Sequence, residues 1–523
     1  VSEGIRAFAR DARHLALVPE AEFLLYVARD VQLIEENLRP ALARGDLVIA
    51  DRFLYTAEVL ARFGRHLPES FTAPVLQAAA GTLAPELVIL IDVDPALARA
   101  RRKSAKLAAG DERAPSRKGL GGVGLQHRLR HGYQQLATAD AQRWVTVNNE
   151  APLPQVVDSL AELIDDAHRH NVSAALKRFR TRRSQPASAA AAAAVRSVED
   201  ALEQFLRRVD GRVASEPQVA AHLLGGLSGP PVDQRRRSLA AAVPRAVIAG
   251  SEGLDDETSW SLRQDFAHQH PRTVALSLTR LAGNNARAAA MRLDLKGEAP
   301  AQVALSLTAI DDDGAFALRE LLFDRAPDAV MTSLAGLGSA RAWTLRDRWW
   351  SQSGADVAGS YPAALTCARS VAGLDDQRAW ELREKARPAA PVAALASLGG
   401  ADSDRAWRWR QEALPRAPKV VMNTLFALRD ARAWEMRAAV APECKEALDS
   451  VFDMDDAPAW DLRESHCDRW PSTVVKSLGT LALLPRGRAL VERQLAHHPD
   501  NLSLLKHAAA VALGLAAGVP ANE

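Results

Sequence analysis

Along the first half of the chain, apolar positions follow two different periods. From Glu20 to Leu42 they recur at the three- and four-residue spacing of one helix face, and the pattern stops near Arg44-Gly45, which predicts one long helix. Asp46-Leu-Val-Ile-Ala-Asp51 and Glu86-Leu-Val-Ile-Leu-Ile-Asp92 are near-continuous apolar runs closed by a carboxylate, and Trp144-Val-Thr-Val-Asn148 is a weaker third. Runs of that kind are strands buried on both faces, as in a parallel sheet covered by helices. Their alternation with helical segments predicts a parallel α/β sheet. Pro154–His168 predicts a closing helix with proline in its first turn. Residues 169–199, basic and then rich in Ser, Pro and Ala, predict a linker.

The second half has one pattern, repeated. An aromatic residue opens Trp-x-Leu-Arg-like motifs at Trp260, Phe316, Trp343, Trp380, Trp407, Trp434 and Trp460, and Ala289 holds the same place in one more unit. The interval of 27 residues recurs, with an insertion of about ten residues around Ser351–Tyr361. Three positions after each stands an arginine: Arg263, Arg292, Arg319, Arg346, Arg383, Arg410, Arg437 and Arg463. Proline usually follows eleven after the aromatic, and Ser or Thr about seventeen after. Pro217 and Pro244, also 27 apart, extend the pattern upstream. Each unit predicts a helical hairpin whose second helix opens on proline, where the missing N–H costs nothing. A hairpin this small cannot bury its apolar face alone, so neighbours stack into an α-solenoid, similar to short HEAT-like repeats. The arginine column has two readings: a phosphate-binding row, or a ladder tying hairpins together through packing and carboxylate pairs.

Composition narrows the function classes. With 66 basic against 64 acidic residues the net charge is +2, so nothing in the overall balance points to nucleic acid. The three cysteines (Cys367, Cys444 and Cys467) have no C-x-x-C spacing, which argues against a disulfide framework or zinc site and fits a reducing cytoplasm. No apolar run approaches the ~18 residues of a membrane span. The chain opens on Val1 inside a helical pattern, as a fragment or a mis-called start would.

The chemistry concentrates at Asp51-Arg52-Phe53, where an apolar run ends. Ligands of parallel sheets bind at such strand ends. A carboxylate there can hold magnesium and a guanidinium can grip a phosphate bidentately. The stretch from Leu24 to Phe53 resembles the thymidylate kinase segment that runs into that family's Asp-Arg-Tyr/His motif. Pro85–Pro95 is similar to the family's next strand, Ala98–Arg102 to the start of its lid, and Gln126–Leu136 to the helix after the lid, with Tyr133 in place. The resemblance spans residues 2 to about 168. It implies an incomplete α/β P-loop-kinase fold (1–168, lacking its P-loop), then a linker (169–199) and an all-α solenoid (200–515).

What the resemblance implies for function is ATP-dependent phosphorylation of dTMP with Mg²⁺. Asp51 then assists the metal or acceptor, Arg52 holds the monophosphate, and Tyr26, Arg29, Asp30 and Thr56 line the acceptor. Arg101, Arg102, Arg113 and Arg117 become lid cations near the ATP phosphates, with Arg128 and Arg130 as weaker candidates for the same role. The sequence departs from the family in three places. No G-x-x-x-x-G-K-[ST] occurs, and the expectation is that this loop lies upstream of Val1. Asp30 stands where the family has arginine, and only Thr56 is kept from the stretch after Asp-Arg. An acidic group facing the base prefers a donor edge. The alternative is an inactive kinase-like domain serving a helical-repeat scaffold, with a protein partner on the repeats.

Overall fold

The computed structural model describes residues 4, 5, 8, 18–109, 123–151, 153–184, 195–353, 357 and 359–518. Its residues form two compact units, 1–99 with 110–192, and 100–109 with 193–523.

The first unit is a small parallel sheet among helices. Helix α1 (Pro19–Leu33) runs through a widened π turn (Ile34–Leu38) into α2 (Arg39–Ala43). The single helix expected over Glu20–Leu42 is thus continuous but loosened, at a point where Pro40 has no N–H to give the preceding turn. Helix α3 (Leu54–Val59) with its π turn (Leu60–Gly64), and α4 (Glu69–Ala80), follow. They close a core around Phe23, Val27, Ala57, Ala61 and Leu67. Strand β1 (Val88–Asp92), α5 (Pro95–Ala109, whose residues from Ala100 on count with the second unit), α6 (Val123–Ala139), β2 (Trp144–Asn148), α7 (Leu153–Arg169) and α8 (Val172–Ser184) complete the order. β1 and β2 pair in parallel, from Val88 opposite Trp144 to Asp92 opposite Asn148.

Two expectations meet a different outcome. Asp46–Asp51 is not a strand but a loop that ends in a bend at Asp51, with Leu47 63% and Ile49 73% exposed. An apolar run becomes a strand only when a neighbouring chain takes its N–H and C=O groups, and no described strand lies alongside it. The span 169–199, expected as linker, contains α8. Ala175 and Leu176 are buried against Val145 of β2 and Leu163 of α7, and that apolar stripe converts a basic stretch into a helix.

In the second unit, helical hairpins run from Val198 to Ala512. First helices open on side-chain caps, such as Asp256, Asp312 and Asp376 accepting from the N–H three residues on at 2.8–3.0 Å. Second helices open on proline, as at Pro271, Pro327 and Pro418. After the second helix each hairpin turns through a left-handed residue: Gly226, Gly253, Gly336, Gly373, Gly400 and Gly479, but also Arg280, Ala309, Ala427 and Asp453. That column of positive φ is the C-terminal stop of the repeat.

The arginine column is fully buried, and its partners are not the carboxylates of the ladder reading. In Arg463, Nε donates to Ser477 Oγ (3.0 Å), Nη1 to Met454 O (2.8 Å), and Nη2 to Val451 O (2.7 Å) and Ser477 O (2.9 Å). Arg263 and Arg319 repeat the scheme. The Ser/Thr column of the sequence is therefore the acceptor for the arginine column, fourteen residues on. Wherever the unit has an aromatic, the guanidinium also lies over it: Arg410 is 4.7 Å from the Trp407 ring, while the next repeat's Arg432 comes to 4.5 Å. Burial pushes these arginines down to about 10, which leaves them charged at neutral pH.

The array closes on itself. Its first helix (Val198–Val213) packs along its last (Leu502–Ala512), Arg208 pairs with Asp500 at 2.8 Å, and Arg488 pairs with Glu199 at 2.6 Å. Second helices pack on one another from hairpin to hairpin. A linear solenoid needs polar caps at both ends; in this ring each end covers the other.

Candidate functional site

The loop 46–50 delivers Asp51 and Arg52, both exposed, to the start of α3. Arg52 has φ +78°, a left-handed conformation that costs a non-glycine residue roughly 1–2 kcal/mol. Among the described residues neither side chain has a hydrogen-bond or ion-pair partner. Strain at a residue with no internal partner is typical of a group placed for something outside the chain. Phe53 is extended and Thr56 N donates to Phe53 O at 2.8 Å, which starts α3. Thr56 Oγ1 accepts from Tyr133 OH of α6 at 2.9 Å. Two polar groups singled out far apart in sequence are therefore one contact.

On α1, Tyr26 packs against the Phe23–Leu67 core and Arg29 lies 5.5 Å over its ring. Asp30 is 3% exposed; its Oδ1 accepts from Arg29 Nε at 2.7 Å, and its Oδ2 is buried without a partner. Burial raises its carboxyl above the ordinary range against the pull of Arg29. The two residues form one pair with a single unused acceptor, a coupling that their adjacency in sequence did not disclose.

The cations of the lid region separate. Arg101 is engaged by Glu216, Nε to Oε1 at 2.6 Å and Nη2 to Oε2 at 3.1 Å. Arg102 is exposed on the same helix. Arg113 and Arg117 lie outside the described residues, as does most of the glycine run 119–124. Arg128 donates to Phe63 O and Gly64 O at 3.1 and 3.3 Å, fixing the end of the π turn. Arg130 grips Asp92 bidentately at 2.7 and 2.8 Å, and that hydrogen-bonded pairing raises its pKa further. Asp92 ends β1, so this pair marks the strand's C-terminal edge. Sequence reasoning took Asp92 only as the end of an apolar run; a carboxylate there with an arginine on the later helix was the available signal.

A thymidylate kinase family model matches residues 1–160. The thymidylate kinase of Solidesulfovibrio magneticus is 32% identical over 164 residues, which is 31% of this chain and 77% of that protein. The chain belongs to the thymidylate kinase family. The thymidylate kinases of Trichlorobacter lovleyi (31% over 166 residues, 77% of its length) and Geobacter sulfurreducens (30% over 164 residues, 76%) match the same third of the chain. Membership makes the N-terminal unit a phosphotransferase domain of nucleoside monophosphate kinase type; the helical ring lies beyond the matched residues.

Thymidylate kinases in general use ATP and Mg²⁺. Among the described residues no three His, Cys, Asp or Glu side chains converge as a metal site. The sequence has no G-x-x-x-x-G-K-[ST] whose backbone would cradle β- and γ-phosphates. These residues alone do not fit a Mg²⁺–ATP group. What they do present is an exposed Asp51-Arg52 with no partner among the described residues, a Thr56–Tyr133 contact and a buried Asp30. No helix among the described residues is long and apolar enough to cross a membrane.

Proposed function

We propose that the N-terminal unit receives a nucleoside 5′-monophosphate, dTMP in the first instance, for ATP- and Mg²⁺-dependent phosphorylation in the cytoplasm. The observation that carries this reading is Arg52, held at positive φ with its guanidinium unpaired. It grips the monophosphate, and Asp51 beside it serves the metal or the acceptor. Tyr26 stacks on the base, Thr56 with Tyr133 lines the sugar side, and Arg29 and Asp30 read the base edge. Arg102, Arg113 and Arg117 supply lid charge near the ATP phosphates, as Arg101 does when it is not held by Glu216. The free Oδ2 of Asp30 accepts a proton donor from the base, so a cytosine amino group competes with the thymine N3–H. The ring is a protein-binding scaffold in this reading.

Equilibrium binding of dTMP, dUMP and dCMP to the full chain tests it. Arg52→Ala is expected to weaken all three by ten-fold or more, since a charge-assisted bidentate contact is worth about 1.5–3 kcal/mol. Asp30→Asn is expected to change the ranking of the bases. No binding of any monophosphate by the folded chain leaves the other reading, an inactive kinase-like domain on a helical scaffold.

A further inference from the structure

Helix α6 is held at several points along its length. Arg128 donates to Phe63 O and Gly64 O at 3.1 and 3.3 Å, which ties it to the π turn after α3. At Gly132 an added Cβ would come to 2.5 Å from Phe63 Cδ2, so the helix sits directly on that ring. Arg130 and Gln134, one turn apart, both donate to Asp92 at the end of β1, at 2.7, 2.8 and 3.3 Å. Tyr133, between them in sequence, reaches Thr56 Oγ1 at 2.9 Å. A side chain on a helix fixed in this way is a pre-set partner.

A threonine hydroxyl carries one proton and can accept as well as donate. Inside a helix it commonly gives the proton to the carbonyl four residues back. Thr138 does so at 2.8 Å and Thr72 at 3.3 Å. For Thr56 that carbonyl belongs to Arg52, whose φ of +78° takes it off the helical path. Among the described residues the Thr56 proton goes to no acceptor. Of the two hydroxyls the phenol is the stronger donor, so Tyr133 gives the hydrogen bond and Thr56 receives it. The Thr56 proton is left for something outside the chain. It stands four residues past Arg52 and beside Ala57, which packs in the core that carries Tyr26. The donor thus lies between the group assigned to the phosphate and the ring assigned to the base.

We propose that Tyr133 is a positioning residue of the monophosphate site: by occupying a lone pair of Thr56 Oγ1 it turns the Thr56 proton toward an oxygen of the bound nucleoside monophosphate. This role rests on the monophosphate reading above and adds to it the direction of one proton. Tyr133 itself touches no ligand. Its bond also strengthens the one that Thr56 makes, because a hydroxyl that accepts a hydrogen bond donates a stronger one.

Equilibrium binding of dTMP to the 523-residue chain, with urea stability read on the same samples, tests this role. Tyr133→Phe keeps the ring and removes the donor, and dTMP affinity is expected to fall about five-fold, the size of one neutral hydrogen bond. Thr56→Val should lose at least as much, while Thr56→Ser, which keeps the hydroxyl, should stay near wild type. Because Tyr133 acts only through Thr56, adding Tyr133→Phe to Thr56→Val should cost no further affinity. Gln135→Ala, which removes an exposed contact with His131, should leave dTMP binding unchanged. A Tyr133→Phe chain that loses stability and still binds dTMP as wild type does would make the contact a structural strut and overturn the proposal. Losses that add in the double variant would overturn it as well, since the two residues would then act independently. A wild-type chain that binds no monophosphate removes the reading on which this role rests, and the role with it; wild type alone tells that outcome from the other two.

Discussion

The ring and the kinase-like unit use their arginines in opposite ways. In the ring, Arg263, Arg319, Arg410 and Arg463 are fully buried, and carbonyl or hydroxyl oxygens of their own and the preceding hairpin receive them. In the first unit Arg52 is exposed, strained and, among the described residues, unpaired. The same side chain is a structural strut where its acceptors recur every repeat. It is a candidate ligand group where the fold holds it up and gives it nothing to bind. Repetition of a residue is thus evidence of stacking, and isolation at a strained loop is evidence of chemistry.

That contrast breaks or holds on stability measurements. The largest effect should come from Arg463→Ala: it leaves the carbonyls of Val451, Met454 and Ser477 buried without their donor. A loss of about 3–5 kcal/mol by urea denaturation is expected; a loss below about 1 kcal/mol would mean that the column is replaceable packing. The left-handed column gives a smaller and two-signed test. Gly400 sits at φ +81° with open space around its Cα, so Gly400→Ala meets only backbone strain and should cost about 1 kcal/mol. Ala427→Gly at φ +61° should gain a similar amount. Equal effects of one sign would show that the two turns are not equivalent.

Smaller still is the pH effect of Asp30. Its folded pKa lies above its ordinary 3.8, so its stabilising contribution is complete below that value and is lost as pH rises through the folded one. Thermal melts of Asp30→Asn should therefore gain on wild type from acid to neutral pH; a parallel pair of curves would contradict the burial of that carboxyl.

How much was legible in the sequence follows the same divide. The hairpins, their prolines and their arginine column could be read because each contact joins residues one repeat apart, and the spacing displays it. The link between Arg463 and Ser477 was visible as two columns, though not as a bond. In the first unit, β1 and β2 were legible from continuous apolar runs. Asp46–Asp51 has the same composition and is not a strand, because strand formation depends on a neighbour that the run itself does not encode. Helix α8 was hidden by its basic residues, since four apolar positions decide it and the charges do not. At the site, Asp51, Arg52 and Thr56 stood out from the motif. The pairing of Arg29 with Asp30, the Tyr133–Thr56 contact and the capture of Arg101 by Glu216 depend on rotamers and long-range packing, which no spacing announces. Ring closure was equally silent: Arg208 and Asp500 are 292 residues apart.

The most direct measurement compares Arg52→Gly with Arg410→Ala, reading urea stability and dTMP affinity on the same 523-residue chains. Glycine relieves the positive φ of Arg52 and removes its guanidinium, so this variant should be about 1 kcal/mol more stable and bind dTMP at least ten-fold more weakly. Arg410→Ala should lose several kcal/mol and, wherever it remains folded, bind dTMP as wild type does. An Arg52→Gly chain that keeps wild-type dTMP affinity, or an Arg410→Ala chain that loses it without losing stability, would contradict the division of roles.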